Sequence, residues 1–181
     1  MYSRGLQQAA RILRQGGVVA YATEYCFGLG CDPTNRAAVL RLLRLKRRPV
    51  RKGLIVLAAD EAQLEPYIAE LPAPALASWP GPHTWLLRPK AWVPGWITGE
   101  HDRLAVRVTA HRQAAALCRA AGMAIISTSA NRAGETPARS DREVRRRFGR
   151  DVDYVLGGRV GGAPAPTPIR DAGSGKLVRP G

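Results

Sequence analysis

The chain contains few of the residues that build disulfide frameworks and metal sites. Its 181 residues include 3 cysteines and 3 histidines, with no CxxC and no HExxH motif. An odd cysteine count without paired spacing favours reduced thiols over a disulfide framework or a structural zinc site. We therefore expect no resident metal site, and reduced thiols are typical of a cytoplasmic protein.

The chain also lacks the signatures of membrane proteins and of several enzyme classes. No apolar run is long enough to span a bilayer, and Met1–Arg4 opens no signal-peptide pattern, so we expect no membrane partner. There is no GxxxxGKS or GxxxxGKT phosphate-binding loop, and no acidic residue follows the glycine-rich segment 157–162 at the spacing of a dinucleotide fingerprint. No Ser/His/Asp set is indicated, because the histidines lack a nucleophile context.

Acidic residues are scarce relative to basic ones. The chain carries 28 Lys+Arg against 14 Asp+Glu, a formal net charge of +14, and its pI is about 10.9. Such a surplus predicts a polyanionic partner: nucleic acid, a nucleotide or both. A basic, arginine-rich proteome would produce the same surplus without such a partner, and both interpretations stay open.

Helical and strand patterns alternate along the whole chain. Helical spacing of apolar residues and capping residues predict helices at 3–15, 35–46, 60–68, 111–121 and 140–148. Short apolar runs predict strands at 18–22, 54–58, 84–87, 104–108, 124–126, 153–156, 167–171 and 177–178. The segments 23–30 and 127–134 are predicted to be loops. With no repeat or linker, we predict one α/β domain over 1–181, an open, twisted mixed sheet flanked by helices.

The segment Lys46-Arg47-Arg48-Pro49 places three cations side by side at the end of a predicted helix. Proline stops the helix, so the cations lie at a turn and not along a solvated helical face. Such a turn is suited to holding a polyanion. Cations are also common in a last helical turn because they interact favourably with the helix dipole, and this second interpretation stays open.

Polar side chains follow several of the predicted strands. In open α/β sheets ligands bind outside the carboxyl ends of the strands, so these groups are expected to converge on a concave basic face. Such a site can position anions and stabilise phosphate charge without a protein nucleophile or a metal cage. Taken singly, each residue has a structural explanation as a turn, a cap or a surface ion pair. The candidates are Thr23, Ser127, Ser129, Asn131, Thr167, Lys46, Arg48, Arg107 and Arg179.

The four tryptophans have two possible roles. Aromatic side chains can stack on nucleic-acid bases, but such residues more often fill a core between a sheet and a helix. We favour the core for the tryptophans of this chain. They are Trp79, Trp85, Trp92 and Trp96.

Several segments of the chain, in order, resemble the YrdC family, in particular its short, single-domain threonylcarbamoyl-AMP synthases. The most specific are the KxR pair Lys46/Arg48 and the SxN pair Ser129/Asn131, which match the family's signature tetrad. The other matching segments are Gly17–Glu24, Phe27–Gly30, Lys52–Ile55, Trp79–Pro82, Ala105–Val108, Ile169–Asp171 and Val178–Gly181.

The resemblance implies a reaction in which L-threonine, bicarbonate or carbon dioxide, and ATP give threonylcarbamoyl-AMP and pyrophosphate. The product then serves the threonylcarbamoyladenosine modification of tRNA. Lys46 and Arg48 would grip the ATP phosphates as the catalytic pair, and Mg²⁺ would enter on those phosphates. The resemblance also implies nucleotide contacts from Ser129, Asn131 and Arg179. It implies a threonine pocket lined by Thr23, Arg107, Ser127 and Thr167, with the arginine suited to the substrate carboxylate.

Some positions depart from the family pattern. Ala22 replaces a proline, Tyr25 a smaller residue and His83 an apolar residue, and Tyr25 bears most on the shape of the threonine pocket. Two other functions stay open. One is a non-enzymatic module that holds tRNA or double-stranded RNA; the other is a carbamoyl-adenylate former like the YrdC-like domains of hydrogenase-maturation proteins. The resemblance also implies that the product passes to a tRNA threonylcarbamoyltransferase complex, and direct contact with tRNA is possible.

Overall fold

The computed structural model describes residues 2–181; Met1, the first residue of the predicted domain, lies outside the described residues. Nine β-strands form the sheet, in the order β7-β1-β2-β6-β3-β5-β4-β8-β9. Parallel and antiparallel pairs alternate irregularly, so the predicted mixed sheet is confirmed. The strands are β1 (Val19–Ala22), β2 (Phe27–Gly30), β3 (Ile55–Ala58), β4 (Thr84–Leu87), β5 (Leu104–Val108), β6 (Ile125–Ser129), β7 (Tyr154–Val155), β8 (Ile169–Asp171) and β9 (Leu177–Arg179).

The helices begin at the capping residues that the sequence indicates. Ser3 and Asn35 accept hydrogen bonds from backbone N–H groups at the starts of α1 and α2, and Ser140 forms the predicted capping box with Glu143 at the start of α6. The helices are α1 (Arg4–Arg14), α2 (Arg36–Leu45), α3 (Ala73–Ser78), α4 (Gly95–Thr98), α5 (Arg112–Ala121) and α6 (Asp141–Phe148).

One predicted helix is wrong. The structure has a short 3₁₀ helix, Glu61–Gln63, where the pattern predicts a helix over 60–68. Asp60 does cap it, accepting a hydrogen bond from the Gln63 N–H. The turn does not propagate because Pro66 follows, and proline removes a backbone donor and clashes with the preceding turn.

Parts of two segments predicted as loops belong to the sheet, whereas 23–26 and 130–134 lie outside the strands as predicted. β2 occupies 27–30, and β6 extends through Ser129, with β2 and β6 paired antiparallel. Glycine and hydroxyl residues have low strand preference, so the pattern favours a loop. Here neighbouring strands supply the pairing, and the glycines make room: a Cβ atom on Gly30 would lie 2.6 Å from the Ile126 carbonyl oxygen and 2.9 Å from Cε1 of Tyr21.

The two faces of the sheet bury separate clusters. On one face, residues such as Val56, Val106 and Ile126 join the core that includes α2 and α6. On the other face, Leu57 and Ile125 pack against α1 and α5. These two helices cover only part of their face, and the remainder is left for the polar residues described below.

The tryptophans are divided between the core and the surface. Trp79 and Trp85 are buried and confirm the core interpretation, and Trp96 packs against the same cluster while partly exposed. Trp92 differs: it is 49% exposed and lies 5.4 Å, centroid to centroid, from the Tyr67 ring. Within residues 2–181, no helix has both the length and the apolar composition needed to cross a membrane.

Candidate active site

A groove runs across the uncovered part of the sheet, and one row of paired residues forms its floor. Cross-strand partners in a sheet point their side chains to the same face, so this row carries one continuous surface through five strands. Starting at β6, each residue pairs with the next: Ser127, Ile55, Ala105, Leu86 and Asp171.

The position of the groove corrects one expectation. The candidate residues were expected beyond the carboxyl ends of the strands, but four of the nine lie within strands: Arg107, Ser127, Ser129 and Arg179. The expectation that ligands bind outside the carboxyl ends of the strands holds for parallel strands, whose carboxyl ends lie together. Here β6 is antiparallel to both neighbours, β2 and β3, so their ends lie at opposite edges. Ser127 and Ser129 reach the groove because residues two apart on a strand share a face.

The first half of the groove contains the four residues predicted to line a threonine pocket. Thr23, Arg107, Ser127 and Thr167 all line it, and each is buried. The Thr23 hydroxyl donates to the Cys26 carbonyl (2.7 Å), and the Thr167 hydroxyl lies 3.1 Å from that of Thr84. Ser127 Oγ accepts a 2.8 Å hydrogen bond from the Tyr21 hydroxyl, which leaves the serine proton free to point into the groove.

Arg107 is held by a buried acid. Its Nη2 lies 3.2 Å from Glu24 Oε2, and the two side chains are 8% and 12% exposed. Glu24 Oε1 accepts a 2.6 Å hydrogen bond from the Thr109 hydroxyl. Burial alone would raise the pKa of Glu24, but Arg107 and the Thr109 hydroxyl hold that pKa below its ordinary value. Within residues 2–181, Glu24 Oε2 and Arg107 Nε have no hydrogen-bond partner, so hydrogen-bonding capacity remains beside the groove.

The second half of the groove shares its boundary with the first. Arg48 and Arg179 line both halves, together with Leu54 and Ile55. Arg48 Nη2 donates to the Gly53 carbonyl (2.9 Å), and Arg179 Nη2 donates to the Thr167 carbonyl (2.7 Å). Burial and the neighbouring Arg179 lower the pKa of Arg48 from its ordinary value. Beyond this pair of cations, the floor is apolar at Ile55, Ala105 and Leu86 and ends at Asp171. The charged residues Lys52, Asp102 and Arg103 border it.

The predicted tetrad meets in space, but its members do not all face the groove. Ser129 and Arg48 line it. Lys46 is 4% exposed, and its ammonium contacts the Ser129 carbonyl and the Asn131 carbonyl, the latter at 2.8 Å. Asn131 organises its own turn: its Nδ2 donates to the Arg132 carbonyl (2.9 Å) and its Oδ1 accepts from Ser129 Oγ (2.6 Å).

Several residues in or beside the groove had no role in the sequence-based prediction. Glu24 carries the clearest signal, since an acid directly after the apolar strand β1 needs a buried partner. Lys52 and Arg103 give no signal in the sequence, because they cannot be distinguished there from ordinary surface cations. Tyr25, the largest departure from the family pattern, does line the groove, and the Arg139 guanidinium lies 5.0 Å from its ring centroid.

Cys26 also lines the groove. Burial raises the pKa of its thiol to about 11. It is therefore a weak nucleophile at neutral pH, since the thiolate is the reactive form.

Comparisons with known proteins agree on one family. The Sua5/YciO/YrdC family model, whose description reads "Telomere recombination", matches residues 11–181. A protein of Halorhodospira halophila named threonylcarbamoyl-AMP synthase is 56% identical over 96% of this chain and 93% of its own. One of Nitrosococcus oceani with the same name is 52% identical over 94% of this chain and 95% of its own.

A solved structure has a similar fold. The crystal structure of P. abyssi Sua5 complexed with L-threonine superposes with a TM-score of 0.91 at 32% sequence identity. The match covers 97% of this chain and 54% of the Sua5 chain. The chain described here therefore spans about half the length of that protein.

Proposed function

The chain belongs to the Sua5/YciO/YrdC family, and from this premise we propose that it is a threonylcarbamoyl-AMP synthase. The enzyme joins L-threonine, bicarbonate or carbon dioxide, and ATP into threonylcarbamoyl-AMP and releases pyrophosphate. The observation that carries this proposal is the two-part groove. One half presents hydroxyls and a buried arginine, the other presents cations over an apolar floor, and Arg48 and Arg179 stand between them.

Threonine occupies the first half of the groove. Arg107 is placed for the substrate carboxylate, because a guanidinium already ion-paired on one side keeps further N–H donors on the other. The hydroxyls of Thr23, Ser127 and Thr167 supply short-range hydrogen bonds around the same space. The complex of P. abyssi Sua5 with L-threonine supports an amino-acid site in this fold.

ATP occupies the second half and the boundary. Arg48 and Arg179 are placed for its phosphates, where they offset the charge that builds on the leaving pyrophosphate. The apolar floor, which includes Ala105 and Leu86, suits a nucleobase. Ser129 lines the first half near the boundary and is available to the nucleotide. The predicted nucleotide contact of Asn131 stays a proposal, and in this structure its amide is engaged within its turn.

The chemistry requires positioning and charge stabilisation more than a protein nucleophile. The threonine amine adds to carbon dioxide and loses a proton, which gives a carbamate; if bicarbonate is the source, that proton and the hydroxide of bicarbonate leave together as water. A carbamate oxygen then attacks the α-phosphorus of ATP, a P–O bond to the β-phosphate breaks, and pyrophosphate departs. Holding the carbamate and the α-phosphate in line accelerates this step. The meeting of the two halves at Arg48 and Arg179 supports that arrangement.

Mg²⁺ enters with ATP in this proposal. Among the residues that the structure describes, no group of three or more His, Cys, Asp or Glu could hold a metal ion, so the donors that fit it are the phosphates themselves. When bound, the ion neutralises phosphate charge and keeps most of its waters. The protein's part is to hold the phosphate oxygens with Arg48 and Arg179.

The product is consumed by a reaction on RNA. We propose that threonylcarbamoyl-AMP passes to a tRNA threonylcarbamoyltransferase complex and that tRNA contacts this chain during the transfer. The net charge of +14 supports a polyanionic partner, and exposed arginines of α6 such as Arg142 and Arg146 lie outside the groove. Phosphate contacts of this kind weaken steeply with added salt.

The test of the activity is pyrophosphate release with each substrate omitted in turn. We expect release only when L-threonine, bicarbonate and ATP are all present. Lys46→Ala and Arg48→Ala are each expected to reduce turnover by about 100-fold, of the order that a lost charge-assisted contact costs. The matched control is Arg44→Ala, which removes an exposed cation on the same helix. Release without threonine, or full activity in Arg48→Ala, would contradict the proposal.

A further inference from the structure

The ammonium of Lys46 forms its hydrogen bonds with acceptors of the protein itself. An ammonium has three donors, and three acceptors surround this one: the carbonyl oxygens of Ser129 and Asn131 and, at 3.5 Å, the Asn131 Oδ1. The side chain is 4% exposed, and it is not among the residues that line either half of the groove. Its donors therefore face the end of β6 and not the space for a triphosphate.

The backbone of Lys46 holds the same segment from a second point. Its carbonyl oxygen accepts a 3.0 Å hydrogen bond from the Ala133 N–H. Lys46, the C-cap of α2, thus contacts residues 129–133 through hydrogen bonds of both its side chain and its main chain. This places the end of one helix against the end of one strand.

The segment 129–133, which Lys46 contacts, contributes Ser129 to the lining of the groove. Ser129 uses its carbonyl oxygen for Lys46 and its hydroxyl for Asn131 Oδ1, at 2.6 Å. Two contacts thereby set the side-chain direction of a residue that lines the groove. The chain then turns back: the Ala138 N–H donates to the Ala130 carbonyl at 3.0 Å, and Pro137, just before it, lines the groove as well.

The charge of Lys46 has no carboxylate partner at ion-pair distance among residues 2–181. Burial, with Arg48 nearby, lowers the pKa of Lys46 to about 8. A buried cation is tolerated when its donors are satisfied, and here backbone carbonyls satisfy them. Its charge acts on the groove only from a distance.

We propose that Lys46 is a positioning residue that fixes the turn at 129–133, while Arg48 makes the direct phosphate contact. The proposal rests on the proposed function for the identity of the anion, but its structural part concerns the ligand-free chain. Because Lys46 acts through hydrogen bonds to carbonyls, a neutral donor of similar length should replace it in part. A phosphate ligand, by contrast, would need the positive charge.

The experiment compares Lys46→Gln, which keeps N–H donors without charge, with Lys46→Met, which keeps neither. In the ligand-free protein, hydrogen exchange of the amides at 129–135 is expected to speed up by about tenfold in Lys46→Met, as for a lost buried hydrogen bond. Lys46→Gln is expected to stay near the wild-type rate and to retain about tenfold more turnover than Lys46→Met. If Lys46→Met does not fold, Lys46→Gln still provides the test.

The binding measurement uses inorganic pyrophosphate and calorimetry, with Arg48→Met as the comparison. Arg48→Met is expected to weaken binding about tenfold or more, and Lys46→Gln about threefold or less, because the lysine charge is distant. Equal weakening in the two variants, or unchanged exchange at 129–135 in Lys46→Met, would overturn the proposal. Failure of the proposed function would instead leave the wild type without threonine-dependent pyrophosphate release.

Discussion

Glu24 and Arg107 form a buried ion pair beside the half of the groove that we propose for threonine. Removing two charges from water is costly, and such a pair is stable only with good geometry and further hydrogen bonds. Here the Thr109 hydroxyl supplies one such bond to Glu24, while Arg107 Nε has no hydrogen-bond partner within residues 2–181. Arg107 therefore keeps an unused N–H donor, the kind of group that binds a carboxylate.

Replacing the acid tests this interpretation. Glu24→Gln is expected to lower the free energy of unfolding by about 2 kcal/mol at neutral pH, since it leaves Arg107 without a counter-charge. It is also expected to raise KM for threonine more than KM for ATP. Denaturant unfolding and steady-state kinetics measure the two effects. Equal changes in both KM values would contradict a role confined to the threonine half.

The same pair predicts an acid limit. The pKa of Glu24 is lowered in the folded protein, so the carboxylate contributes stability that is fully present above its unfolded pKa, ordinarily 4.5, and is lost as the pH falls through the folded value. The difference in unfolding free energy between wild type and Glu24→Gln should therefore shrink below about pH 4.5. His111 is a further neighbour that lowers the pKa of Glu24, and the Glu24→Gln comparison leaves that residue unchanged.

At the scale of elements, the basic turn is a helix C-terminus with a definite geometry. Two hydrogen bonds close α2: Arg48 N–H to the Leu43 carbonyl (2.9 Å) and Arg47 N–H to the Arg44 carbonyl (3.0 Å). This is a Schellman motif, whose left-handed position is usually glycine. Here Arg47 occupies it with φ of 51°, so the arginine is strained where it stands. The turn aims Lys46 inward and Arg48 toward the groove.

Arg47→Gly should therefore stabilise the protein. The left-handed conformation costs a residue with a Cβ about 1–2 kcal/mol, and the entropy of a glycine in the unfolded chain offsets part of the gain. We expect the free energy of unfolding to rise by about 0.5–1 kcal/mol. The control is Arg44→Gly, which also removes an arginine but within the helix. It should lower the free energy of unfolding by about 1 kcal/mol, because glycine is unfavourable inside a helix. Thermal unfolding of the two variants is the measurement, and a change of the same sign in both would refute the argument.

At the scale of the whole molecule, the groove exists because helices cover one face of the sheet incompletely. α1 and α5 pack on the rows that contain Leu57 and Ile125, and the next row, from Ser127 to Asp171, is left open. Five strands contribute to that row, so the two halves of the groove lie on one sheet surface. In the proposed function, this shared surface sets the position of one substrate relative to the other.

Filling one half should leave the other able to bind. Ala105 lies on the floor of the second half only, so Ala105→Trp is expected to weaken ATP binding about tenfold or more by steric exclusion. Threonine binding should change by about threefold or less. The control is Ala91→Trp, at an exposed position. Calorimetric titration with each substrate distinguishes the halves, and loss of threonine binding would show that they are not separate.

Much of this could be predicted from the sequence because the signals are local. Capping residues and helical spacing located α1, α2, α5 and α6, and short apolar runs located β3, β4 and β5 closely. The loop predicted at 23–30 was right for 23–26 and wrong for 27–30. The glycines of 27–30 give clearance under Tyr21, a reason visible only once the strands are paired. The sequence predicted which residues are candidates for the site, but it did not predict how they are arranged on the sheet.

The sequence by itself determined most of the elements and the residues that resemble a known family, because each depends on neighbours along the chain or on residue type. Only the tertiary structure decided which of those residues face the same space. Strand direction placed part of the site on the face of the sheet, and of the two cations Lys46 and Arg48 only Arg48 lines the groove. Strand pairing and packing bring together residues such as Lys46 and Ser129 that are distant in sequence. No local sequence pattern encodes which of them lines the groove.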